Sequence, residues 1–169
     1  MSTSIESRIG IVTGASAGIG EAVARSLAGA GAKIVINARR EDRLESLVRE
    51  LGEDRCTPVT GDCADDGVIE SMLDAARERF GDEADLIVVN AGRGLRGSVF
   101  DSDTDEWEDM IRTNLLGAAR LMRAAAERMT RFEGDWRGKP RDIVAVGSNV
   151  GKHISPFSSM YGSTKFAVG

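Results

Sequence analysis

Ile9-Gly10-Ile11-Val12-Thr13 runs directly into Gly14-Ala15-Ser16-Ala17-Gly18-Ile19-Gly20. The first five residues are mostly β-branched, which predicts a strand. Six of the next seven are small, and they lead into a helical pattern from about Gly18 to Ala30, which Gly31 closes as a C-terminal glycine does. A strand, a glycine turn and a helix in that order make a site for an anion. Glycines let backbone amides approach a diphosphate, and the helix N-terminus attracts negative charge. The spacing is Gly-x-x-x-Gly-x-Gly, and no Gly-Lys-Ser/Thr follows, which disfavours a nucleoside-triphosphate loop. The plainer alternative is a tight turn that needs small residues and binds nothing. The strand-turn-helix context favours the binding reading.

Working outward, short β-branched runs alternate with amphipathic helical stretches, the pattern of a parallel sheet covered on both faces. Strands are predicted at Lys33 to Asn37, Thr57 to Thr60, Asp85 to Asn90 and Asp142 to Ser148. Helices are predicted at Glu41 to Leu51, Asp65 to Phe80 and, as one long element, Thr104 to Phe132. A polar Gly/Pro loop spans Glu133 to Pro140, and a last helix begins near Ser158. No internal repeat or linker divides the chain, so residues 1–169 read as a single α/β domain of doubly wound, Rossmann-like type. The last helix reaches Gly169 without a stop signal, so the chain reads as a C-terminally truncated piece of something longer.

Composition narrows the function. Of 169 residues, 41% are hydrophobic and 29% charged, with a formal net charge of -5, and a nucleic-acid surface would require a basic patch instead. No apolar run approaches the ~20 residues that span a bilayer, and Met1 to Arg8 lack a secretory apolar core. Cys56 and Cys63 are too close in sequence to staple much, so a reduced, cytoplasmic setting is expected. His153 is the only histidine, no Cys/His cluster exists, and no metal site is expected.

The chemistry gathers near the end of the chain. Tyr161 and Lys165 stand four apart, which on a helix puts an ammonium one turn from a phenol. A free phenol ionises near pH 10, and a fixed cation close by favours its charged form. At an effective dielectric near 20, two unit charges about 4 Å apart interact by roughly 4 kcal/mol. The pair therefore reads as a general acid/base, although a surface Tyr and Lys at this spacing are common by chance. Asn114 falls inside the long predicted helix, where asparagine is unfavourable, which suggests a local distortion with a purpose.

Together, Thr13 to Gly20, Asn90-Ala91-Gly92, Asn114, Ser148, and Tyr161 with Lys165 resemble the classical short-chain dehydrogenase/reductase family. The matches are in that family's order, and Ser148 precedes Tyr161 by thirteen residues, as in the family. The resemblance implies strand order 3-2-1-4-5, with the family's later strands and substrate-covering loop missing. It implies that Tyr161 exchanges a proton with a carbonyl or alcohol oxygen, while Lys165 supplies charge and holds the nicotinamide ribose. It further implies that Ser148 hydrogen-bonds the substrate oxygen and that Asn114 anchors a proton-relaying water. Gly14, Ser16, Gly18, Ile19 and Gly20 would hold the diphosphate, and Asn90, Ala91 and Gly92 would let the dinucleotide lie across the backbone. Asp62 would accept from the adenine amino group, beside the amide of Cys63.

The tip of the second strand selects the dinucleotide. An enzyme using NAD usually carries an acidic residue there, to accept from the ribose 2′-hydroxyl. This chain has Asn37-Ala38-Arg39-Arg40 instead. Without the acid a 2′-phosphate is not repelled, and a guanidinium can grip it with two bonds, so NADP is the expected cofactor. The competing reading pairs Arg39 and Arg40 with Glu41 and Asp42 on the surface, to little effect.

The leading function is therefore an NADP(H)-dependent oxidoreductase acting on a small carbonyl or secondary alcohol. The resemblance leans toward carbonyl, 3-hydroxy-acid or 3-ketoacyl substrates. The rival is a nucleotide-binding module, or an inactive fragment, without turnover. Sugar-nucleotide epimerases and dehydratases share the Tyr/Lys pair, but their glycine turn is spaced differently. By analogy with the family, a homodimer or homotetramer is expected, built through the long helix with Ile111, Leu115, Leu116, Leu121 and Met122 and through the Tyr/Lys helix.

Overall fold

The computed structural model describes residues 4–94, 97–131, 140–153 and 156–169. Its strands are β1 (Ile9–Thr13), β2 (Lys33–Ala38), β3 (Cys56–Thr60), β4 (Leu86–Val89) and β5 (Asp142–Ala145). They form one sheet in the order β3-β2-β1-β4-β5, every pair parallel, as the resemblance implies. The helices are α1 (Gly18–Gly29), α2 (Glu41–Leu51), α3 (Asp66–Phe80), α4 (Thr104–Ile111), α5 (Ala118–Arg131) and α6 (Ser159–Val168). Among the described residues no helix is long and apolar enough to cross a membrane.

The two-residue period of the strands divides the core. Ile11 of β1, Val35 of β2, and Ile87 and Val89 of β4 pack on one face with Ile69, Met72 and Leu73 of α3 and Leu121 and Ala125 of α5. Val12, Ile34, Ile36, Leu86 and Val88 point the other way, onto Ala24 and Ala28 of α1 and Leu44, Leu47 and Val48 of α2. A central parallel strand must be apolar at every position because both faces are covered, and β1 and β4 are buried throughout.

Three sequence expectations are corrected. The long helix is not continuous, because Arg112–Gly117 between α4 and α5 is a π-helix. Its wider turn falls on Asn114, where helix propensity is poor. The fifth strand stops at Ala145 rather than Ser148, because its partner β4 stops at Val89. Val146 N still donates to Val89 O at 2.9 Å, and the ladder ends there. Ser148 instead caps a short 3-10 turn, Asn149–Gly151. The fourth strand likewise stops short of Asn90, whose amide donates to the Thr13 hydroxyl instead of a ladder. Phe132, and the expected polar loop up to Lys139, lie outside the described residues.

The amino-terminal edge of the sheet is tied by a residue that composition does not flag. Arg8 is 5% exposed. Its guanidinium donates to Asp85 Oδ1 at 2.8 Å, to Asp85 O at 2.6 Å and to Asp142 Oδ2 at 2.9 Å, joining the starts of β1, β4 and β5.

Candidate active site

At the opposite edge, the carboxyl ends of the strands open into a cleft of about 510 Å³, where open α/β sheets bind ligands. One wall is the glycine turn. Gly14 has φ +69°, and a side chain there would lie 2.9 Å from Ala91 Cα, so the turn can be this tight only with glycine. Ala17 precedes α1 with no side-chain cap among the described residues, so the first-turn amides are not capped by a side chain beside the cleft-lining Ser16, Ala17 and Ile19. Uncapped donors at a helix N-terminus fit a diphosphate.

Gly20 does not line the cleft. It lets α1 sit against the turn: a Cβ there would lie 2.4 Å from both Gly14 O and Asn90 Nδ2. Gly20→Ala is expected to destabilise the protein by about 2 kcal/mol through overpacking. The melting temperature should fall by roughly 4–8 °C, which thermal denaturation would register. Gly18 also stays out of the lining.

The strand tips are stitched together beneath the turn. The Thr13 hydroxyl accepts from the amides of Asn90 and Ala91, each at 3.0 Å, and Asn90 Nδ2 donates to Thr13 O at 2.9 Å. These bonds hold Asn90, Ala91 and Gly92 along the cleft floor. Thr13 opens the glycine motif, but nothing in the motif's spacing marks its hydroxyl for this part.

Arg39 and Arg40 line the mouth. The surface pairing with Glu41 and Asp42 does not form among the described residues. Arg40 turns inward and donates to Ser16 O at 3.1 Å and to Ser16 Oγ at 3.0 Å, while Asp42 lies 4.0 Å from Arg43. With Arg93 and Lys165 also lining it, the cleft is basic within a chain of net charge -5.

Asp62 and Cys63 line the same cleft. Burial alone would raise the Asp62 carboxyl, but the Ala64 amide and the Arg112 guanidinium outweigh it and hold the group below its ordinary 3.8. Its contribution to stability is therefore full above that ordinary value and is lost as pH falls through the lowered one. Burial, reinforced by Asp62, pushes the Cys63 thiol up to about 11, so it is neutral and a poor nucleophile at neutral pH.

At the far end, α6 brings Tyr161 and Lys165 to the cleft together. Lys165 is 7% exposed; its ammonium donates to Val146 O at 2.9 Å and lies 6.0 Å from the centre of the Tyr161 ring. Asn114 lies behind the wall, 2% exposed, and both ends of its amide are bonded. Oδ1 accepts from Arg93 N at 2.9 Å, while Nδ2 donates to Arg93 O at 2.9 Å and to Thr164 Oγ1 at 3.1 Å. The π-helix thus joins the β4 tip to the turn of α6 that carries Lys165. A side chain at Gly92 would come within 3.2 Å of Asn114 Oδ1 and 3.7 Å of Lys165 Nζ, so these groups converge on one point. Ser148 is not in the lining; it directly follows the lining residues Val146 and Gly147, and its hydroxyl accepts from Val150 N at 3.4 Å.

A family model described as short chain dehydrogenase matches residues 8–169. The chain belongs to the short-chain dehydrogenase/reductase family. It is 30% identical over 166 residues to an uncharacterized oxidoreductase of Staphylococcus aureus strain N315, covering 98% of this chain and 69% of that protein. Among solved structures, the alcohol dehydrogenase of the archaeon Thermococcus sibiricus complexed with 5-hydroxy-NADP superposes with TM-score 0.84 at 32% identity, over 95% of this chain. A short-chain dehydrogenase/reductase from Burkholderia phymatum in complex with NAD superposes with TM-score 0.87 at 27% identity, over 98% of this chain. The chain spans 66% and 57% of those two proteins, less than two thirds of either. One of these dehydrogenases was solved with an NADP derivative and the other with NAD, so membership of the family leaves the choice of dinucleotide to this chain's own residues.

Besides the Thr13 hydroxyl, three features of the site are not legible in the sequence. Arg93 lines the cleft and pairs with Glu106 and Asp109. Thr164 meets Asn114, and Arg112 meets Asp62. Each joins residues far apart in the chain, and only the position of Thr164, beside Lys165, gave any local hint.

Proposed function

We propose that this chain binds NADP(H) along the cleft and serves a carbonyl reductase or secondary-alcohol dehydrogenase. The observation that carries this reading is the convergence of the uncapped α1 N-terminus, the arginines at the mouth and the Tyr161–Lys165 pair on one continuous cleft. When bound, the dinucleotide supplies or accepts the hydride. The protein orients the reactants and moves the proton. In reduction Tyr161 gives its hydroxyl proton to the carbonyl oxygen, and in oxidation it takes the proton from the alcohol. Lys165, held by Val146 O, stabilises the negative charge left on the phenol oxygen. Asn114, pinned to Arg93 and Thr164, holds α6 against the β4 tip and keeps Lys165 in register. Ser148 donates to the substrate oxygen from the turn after β5 and stabilises developing alkoxide charge. Gly14, Ser16 and Ile19 of the glycine turn hold the diphosphate, Gly18 and Gly20 shape the turn from outside the lining, and Asp62, with the Cys63 amide, meets the adenine edge. The assembly proposed is a homodimer or homotetramer, by analogy with the family.

The preference for NADP(H) rests on Arg39 and Arg40, where no acid stands to accept from a ribose hydroxyl. Charge-assisted bonds of this type contribute about 1.5–3 kcal/mol. Equilibrium titration should therefore give NADPH at least about tenfold tighter binding than NADH. Arg39→Asp should reverse the order by adding the missing acceptor and repelling the phosphate. An unchanged ratio would exclude this part of the reading. Saturable binding with no NADPH oxidation across a panel of ketones would favour the non-catalytic module instead.

A further inference from the structure

The loop between β3 and α3 is held from behind, by side chains the proposed reaction does not use. Arg112 donates to Asp62 Oδ2 through one nitrogen and to Asp65 Oδ1 through the other. Arg120 donates to Ala64 O at 3.2 Å and pairs with Asp66 at 3.7 Å. Between them Gly117 lies flat against the loop: a Cβ there would be 2.8 Å from Ala64 Cβ and 2.9 Å from Ala64 Cα. The i→i+5 spacing of the π-helix brings Arg112 and Gly117 toward the same side, so the helix distortion serves this loop as well as Asn114.

Of these groups only Asp62 reaches the cleft. Its Oδ1 accepts from Ala64 N at 2.9 Å and its Oδ2 is held by Arg112. An ionised carboxylate has about four acceptor positions, so some remain directed elsewhere. Two acids three residues apart repel one another, and Arg39 on the cleft mouth also attracts Asp62. Without Arg112 the carboxylate is free to turn toward Arg39 or solvent.

We infer that Arg112 is a positioning residue for nucleotide specificity: it fixes the Asp62 carboxylate in the orientation that reads the amino group of the bound base. This inference rests on the dinucleotide reading above. Arg112 itself touches neither the cleft nor the reacting atoms. Its side chain is 41% exposed, so its replacement leaves no buried cavity.

The test compares NADPH with its deamino analogue, in which the base carries a carbonyl in place of the amino group. Equilibrium titration of the full chain by calorimetry gives the ratio of the two dissociation constants. The unaltered protein is expected to favour NADPH by about tenfold, the scale of a hydrogen bond to a charged acceptor. In Arg112→Met the ratio should fall to within about twofold of unity. Arg112→Lys keeps the charge but cannot span two carboxylates with a planar fork, so it should not restore the full ratio. Thermal melting checks that the variants fold, and Arg112→Gln carries the test should Arg112→Met not.

A ratio in Arg112→Met equal to that of the unaltered protein would overturn the inference while leaving the dinucleotide reading intact. A ratio near unity in the unaltered protein would remove Asp62 as the base reader, and the inference with it. Failure to bind either nucleotide would instead overturn the dinucleotide reading itself. A merely structural Arg112 would weaken both nucleotides alike and leave the ratio unmoved.

Discussion

Tyr161→Phe is expected to lower NADPH-dependent turnover of a ketone by about a thousandfold, within the range that general acid/base groups contribute. The substitution removes one hydroxyl and keeps the ring beside Lys165, so the wall of the cleft should hold its shape. Affinity for NADPH should change by no more than about twofold, since the proposed diphosphate contacts fall to the glycine turn and the proposed ribose contact to Lys165, which the substitution leaves in place. Steady-state NADPH oxidation and a binding titration on the same preparation separate the two effects. Lys165→Met should behave differently, because it removes the ammonium that neighbours both Gly92 and the phenol. It should weaken nucleotide binding as well as turnover. Retention of activity in Tyr161→Phe would mean that the proton comes from another group.

Arg8→Met should produce the largest loss of stability. Arg8 is almost wholly buried and joins three strand starts through two carboxylates and one carbonyl. Removing one partner of such a cluster leaves Asp85, whose side chain is only 20% exposed, without its counter-charge. Breaking a buried ion pair from one side costs about 3–5 kcal/mol. Part of this is offset by solvent around Asp142, whose side chain is 51% exposed, so about 3 kcal/mol is expected here. At roughly 2–4 °C per kcal/mol for a chain of this size, the melting temperature should drop by about 10 °C. Adding Asp85→Asn should recover part of the loss by removing the orphaned charge. The cluster lies at the amino ends of the strands and the cleft at their carboxyl ends. Nucleotide affinity at low temperature should therefore be little affected.

The sheet was legible in the sequence because its strands are buried on both faces. Burial of that kind demands unbroken apolar runs, and β1 and β4 consist of little else. The glycine turn was legible because close backbone approach at Gly14 and Gly20 tolerates no other residue. The end of the fifth strand was not, because Val146 would extend a strand as well as its neighbours do. Pairing stopped there only because β4 had turned away at Asn90 to meet Thr13. The π-helix was half visible: Asn114 signalled a distortion, but its extent depends on contacts with Arg93, Ala64 and Thr164. Arg8 and Arg112 were invisible for a common reason. Their partners lie 77, 134 and 50 residues away, and nothing local marks an arginine whose counter-charges arrive only with the strand order.

The most direct test follows backbone amide NMR signals during a titration of the chain with NADP. Ile19 at the glycine turn, Ala91 on the cleft floor and Lys165 on α6 should all shift along one saturation curve, with a single dissociation constant. Shifts confined to one of these segments, or separate curves for the glycine turn and for α6, would contradict a single dinucleotide lying along the whole cleft.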